Sequence, residues 1–137
     1  MDRHMKSIAW TLCRSVFVIV HSQNNPTDAE WDAVLKDYSI YYNMFRGILV
    51  QTAGGAPSAA QREQTTTFWK GKIVPKTAIL TSSVVVRAVV TALSWFLPRQ
   101  RIQAFKDTDL RGALRYLEAE NEIASIEGAL ARLRALL

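Results

Sequence analysis

The chain opens with two apolar runs, SIAWTLC (7–13) and VFVIVH (16–21), separated by Arg14-Ser15. Their β-branched and aromatic content predicts two strands with a tight connection. In the second run apolar residues occupy consecutive positions, the pattern of a strand buried on both faces. The polar stretch NNPTDAEW follows, and in it Thr27 and Glu30 have the spacing of a capping box. A helix is therefore predicted over 28–42, with Trp31, Val34, Leu35 and Tyr38 on its inner face.

The alternation continues along the chain. Residues 45–50 read as a strand, 57–69 as a helix with Pro57 in its first turn, and 77–81 as a strand. Ser82 or Ser83 caps a very apolar helix that runs through Phe96 and ends at Pro98. A strand at 102–105 and a last helix capped by Asp107 or Thr108 complete the order. Strands alternating with helices imply an α/β fold: one domain with a mostly parallel sheet of about five strands, crossover helices and an extended C-terminal helix.

The last helical pattern is longer than that domain needs. Leu110, Ala113, Leu114 and Leu117 form a stripe that closes a core within residues 1–119. Beyond it, in a helical extension over 120–137, Ile123, Ile126, Leu130, Leu133 and Leu137 recur at alternating spacings of three and four. That is a short coiled-coil-like seam, which either folds back on its own domain or docks on a second chain. The helix before it is apolar nearly all round, so Trp95, Phe96 and Leu97 are expected to anchor a partner. A protein partner is implied, and self-association into a homo-oligomer is its simplest form.

Charge changes the picture in one region. The net charge of +5 is concentrated in residues 61–106, which hold eight basic residues against Glu63 alone. Such a field favours acidic partners. Lys70, Lys72 and Lys76 stand beside Phe68 and Trp69, and with Arg101 they are candidates to grip a phosphate chain, although no nucleic-acid motif accompanies them. The apolar run 83–98 is too short to span a bilayer and contains Arg87, so membrane insertion is not expected and the chain reads as soluble and cytoplasmic. One cysteine, Cys13, forms no internal disulfide and sits in an apolar run, where a buried, inert thiol is expected.

Candidate chemistry concentrates in VQTAGGAPSAAQR (50–62), a strand entering a helix through two glycines. Gly54, Gly55 and Ser58 have the makings of an anion- or ligand-binding turn, because backbone N–H groups at a helix N-terminus attract negative charge. Neither a dinucleotide fingerprint nor a P-loop is present, however. In the bland alternative the glycines take positive φ and Ser58 bonds the first helical turn. His21 is read as a structural histidine that could pair with Asp28 or Asp32. No metal-ligand spacing, nucleophile elbow or catalytic constellation is found, so no catalytic residue, metal or cofactor is assigned.

The element order, the NPTDAEW helix start, the Gly-rich turn and the TALSWF stretch together resemble the STAS family over residues 7–118. The nearest part of that family is the small STAS/Sec14-like branch related to anti-sigma-factor antagonists. The resemblance implies a non-enzymatic module that binds partner proteins. It also implies a phosphorylation switch at the start of the second crossover helix, which falls on Ser58. Where that family carries Asp-x-Ser, this chain has Ala56-Pro57-Ser58. Three functions follow in descending order: a protein-interaction regulator or adaptor, a binder of a lipid-like or phosphate-bearing small ligand, and a nucleic-acid binder.

Overall fold

The computed structural model describes residues 1–84, 86–88, 90 and 101–137. The expected Trp95, Phe96 and Leu97 anchor, with most of the apolar helix that carries it, lies outside the described residues. Strands β1 (Arg3–His4), β2 (Ile8–Cys13), β3 (Val16–His21), β4 (Gly47–Thr52), β5 (Lys76–Thr81) and β6 (Ile102–Lys106) make one sheet in chain order. β1, β2 and β3 pair antiparallel, and β3 to β6 pair parallel. The sheet thus has six strands where about five were expected. The addition, Arg3–His4, is exposed and two residues long, too short to carry a period-two pattern.

Helices α1 (Asp28–Tyr41) and α2 (Ala59–Trp69) cross between parallel strands, and α3 (Leu110–Tyr116) follows the last strand. A short 3₁₀ turn, Glu120–Glu122, then leads into α4 (Ile123–Ala135). The consecutive apolar residues of β3 are explained by a layer on each side of the sheet. Phe17 and Ile19 join Ile8, Trp10 and Ile48 under Trp31, Val34 and Tyr38 of α1 and Trp69 of α2. Val16, Val18 and Val20 point the other way, with Leu49 and Leu80, against Leu114 of α3 and Ile126, Leu130 and Leu133 of α4.

Two buried carboxylates tie α1 to the sheet. Asp37 Oδ2 accepts from the Trp10 indole N–H at 2.7 Å and lies 3.5 Å from Arg3 Nε. Glu30 accepts from the Ser7 amide at 2.8 Å, the Ser7 hydroxyl at 2.9 Å and the Thr27 amide at 2.9 Å. Burial, the largest single influence on Glu30, pushes its carboxyl up, but the bonds from Thr27 and Ser7 together hold it below its ordinary range. The capping box of Thr27 therefore also docks the helix, since its Glu30 serves both purposes.

Three boundaries differ from those expected. α2 begins one residue after Ser58, so Pro57 precedes the helix instead of sitting in its first turn. Asp109, not Asp107 or Thr108, caps α3 through the Gly112 amide. The C-terminal helix is broken: Glu118 takes φ 59°, the Glu118 amide bonds Arg115 O and the Ala119 amide bonds Leu114 O. This is a Schellman turn with its apolar contact formed by Leu114 and Ala119, and it usually has glycine where Glu118 stands. Without that glycine the sequence offers no sign of the break.

The reversal sends α4 back across β2 and β3. Ile126, Leu130 and Leu133 are buried in the chain's own core, and Ile123 is partly buried against it. The seam read as partner-binding is therefore occupied from within, and the extension over 120–137 is packed on the sheet of the 1–119 domain. Its anchors include Ser15, whose amide and hydroxyl donate to the Glu122 carboxylate. Arg14 donates to Ser125 at 2.9 Å and Arg132 to Asp2 at 2.9 Å.

Candidate functional site

Strands β3, β4 and β5 end side by side at His21, Thr52 and Thr81, and the Gly-rich turn leaves this carboxyl edge toward α2. Open parallel sheets commonly bind ligands here. The turn itself is filled by its own bonds. The Gly54 amide donates to Thr52 Oγ1 at 3.0 Å, and Thr52 Oγ1 donates to Gly55 O at 2.6 Å. The Gly55 amide meets Ser22 O at 2.9 Å, and the Ala56 amide meets Asn25 Oδ1 at 3.0 Å. The amides expected to cradle an anion at Gly54 and Gly55 are thus already satisfied.

Both glycines have a physical reason. Gly54 takes φ 140°, which L side chains rarely adopt. At Gly55 an added Cβ would stand 2.2 Å from Asn24 O, so only glycine lets the two loops meet.

Ser58 is exposed and caps α2. Its Oγ accepts from the Gln61 amide at 3.1 Å, while Gln61 Oε1 accepts from the Ser58 amide at 2.9 Å. Buried Gln61 also donates to Pro26 O at 3.1 Å and to Asp28 Oδ1 at 2.9 Å, which locks the start of α2 against the start of α1. Arg62 donates to Pro57 O at 2.9 Å, one residue from Ser58. The edge accordingly presents a rigid helix start with an exposed hydroxyl and a cation beside it.

His21 lies below this turn, buried, with its ring stacked on Trp31 at 6.2 Å. Burial pushes its pKa down to about 4, so the imidazole is neutral. Nδ1 has no hydrogen-bond partner among the described residues, and Asp28 is engaged by Gln61. The alternative pairing with Asp28 or Asp32 does not form, and the satisfied structural histidine that was expected instead keeps Nδ1 unpartnered among the described residues. Cys13 is half-buried, and burial, the largest influence, pushes its thiol up, away from reactivity.

A second concavity lies across the same edge, between the sheet and the C-terminal helices. This cleft of about 280 Å³ is lined by Gln51, Leu80, Asp107, Leu110, Glu127, Leu130 and Arg134. Arg134 already bonds Gln51 Oε1 at 3.0 Å, and the volume falls just short of the ~300–1,000 Å³ usual for ligand sites. Among the described residues no group of three or more His, Cys, Asp or Glu side chains is placed to hold a metal ion. No helix among them is long and apolar enough to cross a membrane.

The basic candidates for nucleic acid are largely engaged within the chain. Lys72 Nζ donates to Phe68 O at 2.9 Å and lies 4.6 Å from the Phe68 ring centre. Lys76 Nζ sits 3.8 Å from Glu118, and Arg101 donates to Val74 O at 2.6 Å. They brace the loops at the amino edge of the sheet and form no open stripe. What sequence reasoning missed is the apolar content of those loops, where Tyr42, Met44 and Ile73 are exposed. The only signal was an isoleucine set among lysines in KGKIVPK (70–76).

No family model, curated protein or solved structure matches this chain. Its reading rests on its own geometry.

Proposed function

We propose that the chain is a non-enzymatic, STAS-like interaction module that meets a protein partner through the start of α2. The observation that carries this reading is the pairing of a closed Gly54-Gly55 turn with an exposed Ser58 hydroxyl at a rigid helix N-terminus. A surface without a cradle, offering a modifiable hydroxyl, suits a regulator better than a ligand binder. Phosphorylation at Ser58 would add about two negative charges. The helix dipole and Arg62 are arranged to tolerate them, so the modification would change what the surface presents without melting α2.

The small-ligand reading loses support because the turn's amides are taken, and the nucleic-acid reading because Lys72, Lys76 and Arg101 are engaged. Self-association no longer rests on the C-terminal seam. The test uses the full chain immobilised as wild type, Ser58→Asp and Arg62→Glu, with capture from the source cells and phosphosite mapping of the chain purified from them. One partner whose retention changes by about tenfold or more with either substitution supports the proposal. Identical capture by all three forms, with Ser58 unmodified, rejects it.

A further inference from the structure

At the opposite end of the sheet, the loops entering β4 and β5 carry exposed apolar side chains. Met44 is 61% exposed and Ile73 is 89% exposed, with Tyr42 exposed beside them. Scattered exposed apolar residues are ordinary, but these share one end of the sheet. β4 begins at Gly47 and β5 at Lys76, and those two residues are register partners. Met44 and Ile73 each stand three positions ahead of them, so both lie in loops that enter adjacent strands from the same end of the sheet.

The loops are braced. Tyr42 packs edge-on against Phe68 with ring centres 6.4 Å apart, and Lys72 Nζ lies 5.6 Å from the Tyr42 ring centre. The Lys72 amide closes the Lys70–Lys72 turn on Trp69 O, with Gly71 at φ 77°. Exposed Arg46, Lys70 and Arg101 flank the tips, and neither residues 42–46 nor 70–76 contain an acidic side chain.

We propose that this amino edge is a peripheral docking surface for an anionic lipid bilayer. Met44 and Ile73 enter the headgroup boundary, and Arg46, Lys70 and Arg101 meet the lipid charge. A bilayer fits these features better than a folded protein does. The apolar groups protrude from one end of the sheet instead of lining a groove. Arg101 keeps one bond to Val74 O, and a charged plane requires no fixed acceptor geometry of it or of Arg46 and Lys70. The proposal is independent of the reading of Ser58, which lies at the other edge.

The test is flotation of the full chain with vesicles of equal parts phosphatidylcholine and phosphatidylglycerol, against vesicles of phosphatidylcholine alone. Binding to the anionic vesicles, weakened by added salt, is expected. Met44→Ser with Ile73→Ser should weaken it by at least about tenfold, since both side chains leave water on docking. Arg46→Gln with Lys70→Gln should weaken it by roughly thirtyfold. All four side chains are exposed, so circular dichroism and thermal melting should match the wild type. Equal binding by the wild type and the apolar double variant overturns the proposal, as does equal binding to both vesicle types. Absence of vesicle binding overturns it too, including the case in which this edge captures a protein instead.

Discussion

Whether α4 is a lid or a free arm is decided by Ile126→Ala. Ile126 is fully buried between α4 and the sheet, in the layer that holds Val16, Val18, Leu130 and Leu133. Truncation to alanine removes apolar contact and leaves a cavity, and such changes cost about 2–5 kcal/mol. Neighbours on α4 and on the sheet are themselves fully packed, so the site has little freedom to collapse and the upper half applies, about 4 kcal/mol. Set against a total stability of ~5–15 kcal/mol for a domain, this is a large fraction. The assay is urea unfolding followed by tryptophan fluorescence. With a slope of about 2 kcal/mol per molar, the midpoint should fall by about 2 M at unchanged slope. Leu137→Ala, at an exposed side chain, serves as the control and should move stability by no more than ~0.5 kcal/mol. If Ile126→Ala behaves like Leu137→Ala, α4 is not docked in solution. The seam would then be available to a second chain, and light scattering on the same samples would show the association.

Two further outcomes follow from the described contacts. His21 is buried neutral with a pKa of about 4 against 6.5 when unfolded, so the unfolded chain binds the proton first. Stability should therefore fall by about 2 kcal/mol between pH 7 and pH 5, and continue to fall toward pH 4. His21→Phe keeps an aromatic ring on Trp31 and removes this term; a urea midpoint with unchanged pH dependence in that variant would refute the assignment. Glu118→Gly should raise stability by about 1 kcal/mol, because glycine takes φ 59° without strain and the Lys76 contact it loses is exposed. A destabilised Glu118→Gly would refute the turn.

Much of the fold was legible because its signals are local. The capping box at Thr27 and the doubly apolar β3 each depend on residues within a few positions, and they appear where the spacing puts them. The Arg14-Ser15 connection also holds, with Cys13 paired to Val16. The destination of α4 was not legible, for a physical reason. Helical periodicity identifies which face is apolar, but both a sheet and a second helix would satisfy the same stripe. The deciding event is the turn at Glu118, which lacks the usual glycine. The candidate site shows the same division. The glycines and Ser58 could be located by inspection, whereas the closure of their amides depends on Ser22 and Asn25, which come from another loop.

The C-terminal lid also bears on how the protein is made. The face of β3 formed by Val16, Val18 and Val20 is covered by residues near the other end of the chain, and Arg132 meets Asp2 across 130 positions. A ribosome delivers the strands long before their cover. One side of the nascent sheet must therefore stay wet, or be shielded by a chaperone, until the residues of α4 have been made. A chain that stops before α4 would carry a greasy, unroofed β-surface, suited to proteolysis more than to service.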